Sequence, residues 1–308
     1  MRAVVYDRFS DDFDDLEIRE VPDPKVQPGC VVVEVRAAGV NPVDWKLMAG
    51  MLDAIIPTQF PVIPGWDVSG VVVAVGADTP EFAIGDEVFA YARKDVLGEG
   101  TFAELACIPA RAAAHKPAGL SWEAAAALPL AGGTALRALD SLGDIDGKTV
   151  LIYGGAGGVG GLAVQIARAA GARVITTASE RNYEFLRGLG VEPVVYGEGL
   201  AERVLRISGG PVDAVADFVG DQLETTLAVL REGAPHASIA DRTVVDHGGR
   251  SVWVRPDGAE TARLGALAAA GKLVVDIAGT YGLEEVADAF RASATGHTRG
   301  KLVIVPGE

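Results

Sequence analysis

A glycine-rich turn restricts the possible folds of this 308-residue chain more than any other feature. Gly155, Gly157 and Gly160 form a GxGxxG pattern directly between the apolar run at 150–153 and an amphipathic helical pattern at 158–170. Glycines at these positions let the backbone approach a pyrophosphate at the beginning of a helix, where free N–H groups point outward. The context predicts a dinucleotide-binding turn, and a glycine-rich turn without a ligand is the alternative.

The sequence around this turn alternates between strand and helix patterns. Strands are predicted at 150–153, 173–178, 193–196, 214–219, 237–240 and 251–254, with helices near 158–170 and 181–189. Apolar strands separated by helices are typical of a parallel sheet that is covered on both faces. Six strands match a doubly wound Rossmann sheet, so the fold class is α/β.

The sequence before Pro117 has an all-β pattern instead. Strands are predicted at 3–6, 30–38, 68–75, 87–90 and 102–108. Gly70 lies inside one of these runs, as expected where a strand bends at the corner of a barrel. Helix formers follow, with Ser121 as a predicted N-cap and Glu123 in the first turn.

The C-terminal part returns to short, mixed elements. A helix is predicted at 260–270, a strand at 273–277, a helix beginning at 283–284 and a last strand at 301–305. We expect this tail to pack on the first domain. The predicted domains are therefore residues 1–118 with 257–308, and residues 119–256.

Charge and composition exclude several classes of partner. The net charge of −15 repels polyphosphate backbones and anionic membrane surfaces, so we expect neither nucleic-acid nor membrane binding. Neither a signal-like segment nor an 18-residue apolar run is present, which predicts a cytoplasmic protein. Cys30 and Cys107 are the only cysteines and are expected to be buried small hydrophobes.

The end of the second Rossmann strand predicts the choice of cofactor. An NAD enzyme usually carries an Asp or Glu there to bind the ribose hydroxyls. This chain has Ser179 followed by Arg181, a hydroxyl and a guanidinium that suit the 2'-phosphate of NADPH. Glu180 is the opposing signal, because its carboxylate would favour NADH.

Six segments, in order, resemble the medium-chain dehydrogenases/reductases, and within them the zinc-free NADPH:quinone oxidoreductase (zeta-crystallin-like) family. They are AAGVNPVDWKLMAG (37–50), PVIPGWDVSGVVVAVG (61–76), GDEVFAY (85–91), GTFAELACIPA (100–110), GGAGGVG (154–160) and GHTRGK (296–301). The resemblance implies a GroES-like β-barrel catalytic domain together with the Rossmann domain.

The resemblance also implies that no metal is bound. In zinc alcohol dehydrogenases of this superfamily, a Cys ligand stands at the position of Asn41 and a His ligand at that of Trp66. No third Cys lies near Gly132–Thr134, and the four-Cys structural loop is absent. The histidines at 115, 236, 247 and 297 are isolated in sequence and are expected to be surface or cap groups.

By resemblance, Asn41 lies near the nicotinamide, Thr134 contacts its amide or a phosphate, and Tyr196 lies by the adenosine phosphate. The full set of implied cofactor contacts is Asn41, Thr134, Gly155, Gly157, Gly158, Val159, Gly160, Ser179, Arg181, Asn182, Tyr196, Val219, Gly220, Ile239, Ala240, Trp253, Val254, Arg299 and Lys301. Turn and cap chemistry for Asn41 and Thr134, a core aromatic at Tyr196 and a basic turn at 299–301 are the alternatives.

The family implies hydride transfer from NADPH to a quinone or another electron-poor carbonyl acceptor, stacked in a cleft between the domains. Asn41, Asp44, Lys46 and Tyr91 are the candidate catalytic residues. Lys46 is alternatively a solvated helix charge, and Asp44 a cap. No Tyr lies between Tyr6 and Tyr91, which argues against an enoyl-thioester reductase and leaves the proton donor unassigned.

Two other functions stay open. The first is an enal, enone or other alkene reductase, which uses the same cofactor geometry. The second is an NADPH-binding structural or regulatory protein with little turnover. We further expect a homodimer joined through the apolar edge strand 251–254, and the segment 93–100 to form either a lid or a solvated loop.

Overall fold

A computed structural model describes residues 1–307 of the chain. Its strands are β1 (Arg2–Val5), β2 (Glu17–Glu20), β3 (Cys30–Val40), β4 (Asp67–Val75), β5 (Glu87–Tyr91), β6 (Leu105–Pro109), β7 (Ala113–His115), β8 (Thr149–Tyr153), β9 (Arg173–Thr177), β10 (Glu192–Val194), β11 (Ala214–Asp217), β12 (His236–Ser238), β13 (Arg250–Ser251), β14 (Ile277–Tyr281) and β15 (Lys301–Ile304). Its α-helices are α1 (Pro42–Met48), α2 (Trp122–Ala127), α3 (Pro129–Asp140), α4 (Gly160–Ala169), α5 (Tyr183–Gly188), α6 (Leu200–Ser208), α7 (Leu223–Val229), α8 (Gly258–Ala269) and α9 (Val286–Ala294).

The chain divides into two compact units. The first contains Met1–Leu130, Arg255–Ala270 and the chain from Val275 on, and the second contains Ala131–Val254 and Gly271–Val274. The first boundary therefore lies at Leu130 rather than at residue 118. The reason is α2, whose small side chains Ala126 and Ala127 pack with Ala37 of β3 and Val303 of β15.

The first unit is built on a bulged, mostly antiparallel sheet in the order β14-β15-β3-β4-β5-β7, with β6 paired to β3. Gly70 marks a close approach, as predicted, because a Cβ there would lie 2.1 Å from the Glu34 carbonyl oxygen. Cys30 and Cys107 are buried beside Val32 and carry free thiols, which confirms their assignment as small hydrophobes.

The second unit contains a parallel sheet in the order β10-β9-β8-β11-β12-β13. Since β8 is the first of these strands in the chain, this is the doubly wound order 3-2-1-4-5-6. Leu151, Ile175 and Val215 lie on its neighbouring central strands and form part of one buried core. The sheet confirms the predicted Rossmann architecture.

The predicted strand at 251–254 is wrong in its extent. β13 covers only Arg250–Ser251, because its partner β12 has just three residues and pairs through Ala237 and Ser238. Trp253, which is 48% exposed, and Val254 follow the strand instead of belonging to it.

The predicted strand at 273–277 is also wrong, since the strand begins only at Ile277. The backbone N–H and C=O of Val274 bond to the side-chain amide of Gln165, at 2.8 and 2.9 Å. These backbone groups are therefore not available for a sheet ladder.

His236 was expected at the surface or in a cap, but it is buried in β12. Neither ring nitrogen has a hydrogen-bond partner within residues 1–307, and burial lowers the pKa of its imidazole. Within the same range, no three His, Cys, Asp or Glu side chains are grouped so as to hold a metal ion. No helix between residues 1 and 307 is long and apolar enough to cross a membrane.

Candidate functional site

The glycine-rich turn joins β8 to α4 at the carboxyl end of the parallel sheet. Gly154 has φ +78°, in the left-handed region that favours glycine, and its N–H donates to Thr177 Oγ1 at 2.9 Å. The Gly155 N–H donates to the Thr177 carbonyl oxygen at 3.1 Å. Bonds to β9 thus fix the turn before α4 begins at Gly160.

The three glycines of the pattern have different surroundings. A Cβ at Gly155 would lie 2.0 Å from Thr176 Oγ1, and one at Gly160 would lie 2.1 Å from the Gly154 carbonyl oxygen. A Cβ at Gly157 would meet only the Gly154 oxygen, at 3.4 Å. Internal packing thus requires glycine at the outer two positions, whereas Gly157 is left open, as an approaching pyrophosphate would require. The turn fits a dinucleotide.

Asp217, at the carboxyl end of β11, organises the adjacent strand ends. Its Oδ1 accepts the N–H groups of Val219 and Gly220 at 2.9 and 3.0 Å, and its Oδ2 accepts the Ser238 hydroxyl at 2.7 Å. The Ile239 N–H donates to the Asp217 carbonyl oxygen at 3.1 Å. The loops that contain Val219, Gly220 and Ile239 are therefore held together.

These loops reach the glycine turn. A Cβ on Gly154 would lie 2.7 Å from Val219 Cγ2, and a Cβ on Gly220 would lie 3.1 Å from the Ala240 Cβ. The structure thus brings together four of the residues predicted around the cofactor with the turn itself: Val219, Gly220, Ile239 and Ala240.

The residues predicted to bind the 2'-phosphate lie in the segments that follow β9 and β10. Ser179 precedes a short 3₁₀ helix at Glu180–Asn182, and Asn182 Nδ2 donates to Ser179 Oγ at 3.2 Å. Arg181 and Glu180 are both exposed, so their charges act on the same surface. Tyr196 is 60% exposed, which excludes the alternative of a core aromatic.

Other predicted cofactor residues are placed in less distinctive surroundings. Thr134 is buried within α3, Gly158 lies in the turn, and Val159 is the N-cap residue of α4. Arg299 is ion-paired with Asp276 at 2.8 Å.

Lys301, a predicted cofactor contact, is part of a buried polar network at one edge of the first unit's sheet. Its Nζ donates to the Val40 carbonyl oxygen at 2.8 Å and to Asn41 Oδ1. Asn41 Nδ2 donates to Asp67 Oδ2 at 2.9 Å and, more weakly, to the Gly39 carbonyl oxygen at 3.4 Å. Both ends of the Asn41 amide are thereby fixed.

The strand order explains this assembly. Asn41 follows β3, Asp67 begins β4 and Lys301 begins β15, and β3 pairs antiparallel with both of the other strands. The ends of β3 and the beginnings of β4 and β15 therefore meet at one edge. Asp67 Oδ1 also accepts the Leu130 N–H in the first turn of α3, at 2.8 Å.

Asp44 lies next to this network in α1. Its Oδ2 accepts the Asn41 N–H at 2.7 Å, which completes a capping box, while its Oδ1 is buried without a partner within residues 1–307. Burial raises the pKa of Asp44 to about 8 and that of Asp67 to about 7, and it lowers the pKa of Lys301. At neutral pH the network therefore retains a proton on a carboxyl group.

The other two catalytic candidates, Tyr91 and Lys46, differ in burial. Tyr91 ends β5 directly opposite Asp67 in the ladder, and burial raises its pKa, so that it keeps its proton at neutral pH. Lys46 is exposed, and its Nζ lies 5.4 Å from the centre of the Trp45 ring. This exposure is what its alternative assignment as a solvated helix charge requires.

Sequence reasoning did not identify Asp67 or Asp217 as site residues. Each is a single carboxylate at the end of a buried strand, in WDVSG and AVADFVG respectively. A lone acid in such a run is a signal that a buried partner exists, since an unpaired buried charge is costly. That signal does not identify the partner.

Comparisons with known proteins agree with this architecture. Residues 27–118 match the alcohol dehydrogenase GroES-like domain family, and residues 189–304 match the zinc-binding dehydrogenase family. The chain is 31% identical to the chloroplast envelope quinone oxidoreductase homolog of Arabidopsis thaliana, over 99% of this chain and 98% of that protein. It is 33% identical to the NADPH-dependent alkenal/one oxidoreductase, chloroplastic, of the same plant, over 92% of this chain and 74% of that protein.

A solved structure gives the same result. The quinone oxidoreductase from Coxiella burnetii superposes with a TM-score of 0.88 at 34% identity, over 99% of each chain. The first unit is thus GroES-like and the second Rossmann-like. The chain belongs to the medium-chain dehydrogenase/reductase superfamily, in the branch that contains quinone oxidoreductases and alkenal/one oxidoreductases.

Proposed function

We propose that this protein is a zinc-independent, NADPH-dependent oxidoreductase that transfers a hydride to a quinone or a similar electron-poor carbonyl compound. The observation that carries the proposal is the glycine turn, which is closed by packing at Gly155 and Gly160 and open at Gly157. The names of the similar proteins supply the class of acceptor.

The second unit would hold the dinucleotide. The turn at 155–160 would hold the pyrophosphate, the loops after β11 and β12 would line its side, and Ser179, Arg181, Asn182 and Tyr196 would contact the 2'-phosphate. When bound, NADPH would supply the hydride. Glu180, exposed beside Arg181, works against a strict preference for NADPH.

The buried network would serve the acceptor side. Lys301 and Asp67 fix the Asn41 amide in one orientation, which is what a group that positions a reactant needs. Burial raises the pKa of Tyr91 and of Asp44, so both are candidates for donating a hydrogen bond or a proton rather than for acting as a general base. We assign no catalytic role to Lys46.

The test is the decay of absorbance at 340 nm with NADPH and, separately, NADH, against 1,4-benzoquinone, 9,10-phenanthrenequinone, an alkyl enone and an enoyl thioester. We expect quinone-dependent oxidation of NADPH. In Arg181→Gln the KM for NADPH should rise about tenfold while that for NADH changes little, since only NADPH carries the second phosphate. An unchanged NADPH preference would refute the role of Arg181.

The enone reductase is the second candidate, favoured by the similarity to the alkenal/one oxidoreductase. Faster turnover of the alkyl enone than of either quinone would select it. Tight NADPH binding without turnover of any acceptor would instead favour a structural or regulatory NADPH-binding protein.

A homodimer is also part of this proposal. Exposed Trp253, next to the short edge strand β13, supplies an apolar surface that a second copy of the chain would cover. A monomer mass that does not change with concentration in light scattering would contradict it.

A further inference from the structure

Arg93 lies two residues after the end of β5, and its guanidinium lies over a pair of buried aromatic rings. Its guanidinium carbon lies 5.9 Å from the centre of the Trp66 ring and 6.0 Å from that of Tyr91. Trp66 is 6% exposed and Tyr91 is 2% exposed, with their ring centres 5.9 Å apart. The side chain thus rests on an apolar surface and is itself only half-buried.

Apart from the two rings, this cation has no ionic or hydrogen-bonding partner among residues 1–307. Arg93 Nε is buried without a hydrogen bond, and across residues 1–307 no ion pair to its guanidinium is formed. The chain has 42 acidic against 27 basic side chains, and the neighbouring Lys94 does form an ion pair, with Glu99. Because an unpaired buried N–H costs as much free energy as a lost hydrogen bond, Arg93 is arranged for an external acceptor.

The backbone on both sides of Arg93 is fixed. The Ala92 N–H donates to the Trp66 carbonyl oxygen at 2.6 Å. Farther on, Leu97 exchanges backbone hydrogen bonds with Pro57 and Gln59 at 2.9 and 2.8 Å, and its side chain is only 6% exposed. The segment 93–100 is therefore a strap bonded to the residues before β4, neither a free lid nor a solvated loop.

We propose that Arg93 binds a negatively charged oxygen of the acceptor, which makes it a specificity-determining residue. The inference rests on the proposed function and adds a substrate class to it. A guanidinium donates two parallel N–H bonds to an anionic oxygen pair, and the buried rings of Trp66 and Tyr91 hold the Arg93 side chain in place for such a contact. A neutral molecule would leave the cation unpaired.

Two sources of that charge are possible. The acceptor has a carboxylate next to its conjugated carbonyl, or the charge arises in the reaction. In the second case NADPH would supply a hydride to the β-carbon of the conjugated carbonyl. The C=C electron pair would then form a new double bond to the carbonyl carbon, and the carbonyl π pair would move to the oxygen, which becomes the enolate anion. Water then supplies the proton.

The experiment compares trans-4-oxo-2-pentenoate with its methyl ester, which differ only in the carboxylate charge, in wild type, Arg93→Met, Arg93→Lys and Lys94→Met. Lys94→Met removes the same charge one residue away and is the matched control. Binding of levulinate and methyl levulinate, which lack the reducible double bond, is measured by calorimetry in parallel. Circular dichroism and melting temperatures confirm that each variant is folded.

If Arg93 binds a fixed carboxylate, Arg93→Met should raise the KM for trans-4-oxo-2-pentenoate and weaken levulinate binding, each by at least about tenfold. Neither methyl ester should be affected. The values for Arg93→Lys should lie between those of wild type and Arg93→Met. For a developing charge, Arg93→Met should lower kcat for both acceptors alike. Arg93→Met that matches Lys94→Met in every measurement would overturn the proposal. If wild type reduces neither enone, the quinone assay decides the proposed function. Levulinate binding then decides whether Arg93 binds a fixed carboxylate, and the kcat of Arg93→Met with the quinones decides whether it binds a developing charge.

Discussion

Two regions of the molecule differ in the atoms that form them: the glycine turn between β8 and α4, and the buried network around Asn41. The turn is formed by backbone atoms. Gly157 is its open position, whereas a Cβ at Gly155 or Gly160 would lie 2.0 or 2.1 Å from the nearest protein atom. The network uses side chains, with an amide held between the ammonium of Lys301 and the carboxyl of Asp67. A site formed by backbone atoms requires glycine where the ligand approaches, and a site formed by buried polar side chains requires that each of them has a hydrogen-bond partner.

The two regions also differ in how far apart their members lie in sequence. The turn is contained in 155–160, so one strand-turn-helix unit builds it. The network joins residues 41, 67 and 301, and only the pairing of β3 with β4 and β15 brings these together. A substitution at the open position Gly157 should therefore affect binding with little effect on folding, and one in the network should affect both.

The largest expected effect is on the network. Lys301→Met removes the buried ammonium, which leaves Asp67 without its counter-charge and the Val40 and Asn41 oxygens without their donor, so we expect the free energy of unfolding to fall by about 3 kcal/mol. Urea denaturation measures this change. Lys46→Met is the control, because that side chain is exposed and should change stability by less than about 0.5 kcal/mol.

A double-mutant cycle sharpens the result. Asp67→Asn removes a carboxylate that the missing ammonium would have balanced, so Asp67→Asn/Lys301→Met should lose less than the sum of the single losses. Additive losses would mean that Asp67 and Lys301 do not interact, and the network would then be two independent sites.

The same contrast explains what could be predicted from the sequence. The alternation of strands and helices in the Rossmann unit, the turn and the N-cap at Ser121 follow from periodicity and from glycine or hydroxyl side chains within a few residues. The place of Lys301 in the buried network could not be predicted, because a basic residue before a strand does not indicate which distant oxygen atoms it will bind. Its partners Val40 and Asn41 lie some 260 residues away along the chain.

Errors in the strand bounds have the same origin. The apolar residues at 251–254 suggested an edge strand, but the length of β12 sets how far β13 can pair. The apolar residues at 273–277 suggested another, but the amide of Gln165 binds the backbone of Val274. In both cases a partner distant in sequence overrides a local preference.

The second prediction tests the backbone side of the comparison. Gly157→Ala places a methyl group at the open position, so we expect NADPH binding to weaken by at least about thirtyfold, or about 2 kcal/mol, with the melting temperature nearly unchanged. Gly161→Ala is the control, since its Cβ would make only an ordinary contact of 3.6 Å with the Gly155 carbonyl oxygen. Equal cofactor affinity in both variants, measured by fluorescence titration, would show that nothing approaches Gly157.

The third prediction concerns the protons of the network. Burial raises the pKa of Asp44 to about 8, above the value of 3.8 for an ordinary aspartate, so the native state keeps a proton that the unfolded chain has already lost. Its stabilising contribution is therefore lost as pH rises. Between pH 6 and pH 8 we expect wild type to lose about 1 to 2 kcal/mol relative to Asp44→Asn, by urea denaturation at each pH.

Lys301, whose pKa is lowered, changes the free energy of unfolding with pH in the opposite direction. Because wild type and Asp44→Asn both contain Lys301, this contribution cancels when the two proteins are compared. Asp53→Asn is the control, because Asp53 is exposed, and its pH profile should run parallel to that of wild type. If Asp44→Asn also runs parallel to wild type, Asp44 is ionised throughout this range. The proton of the network would then reside elsewhere, and Tyr91, whose raised pKa keeps it protonated, would be the remaining donor among the four catalytic candidates.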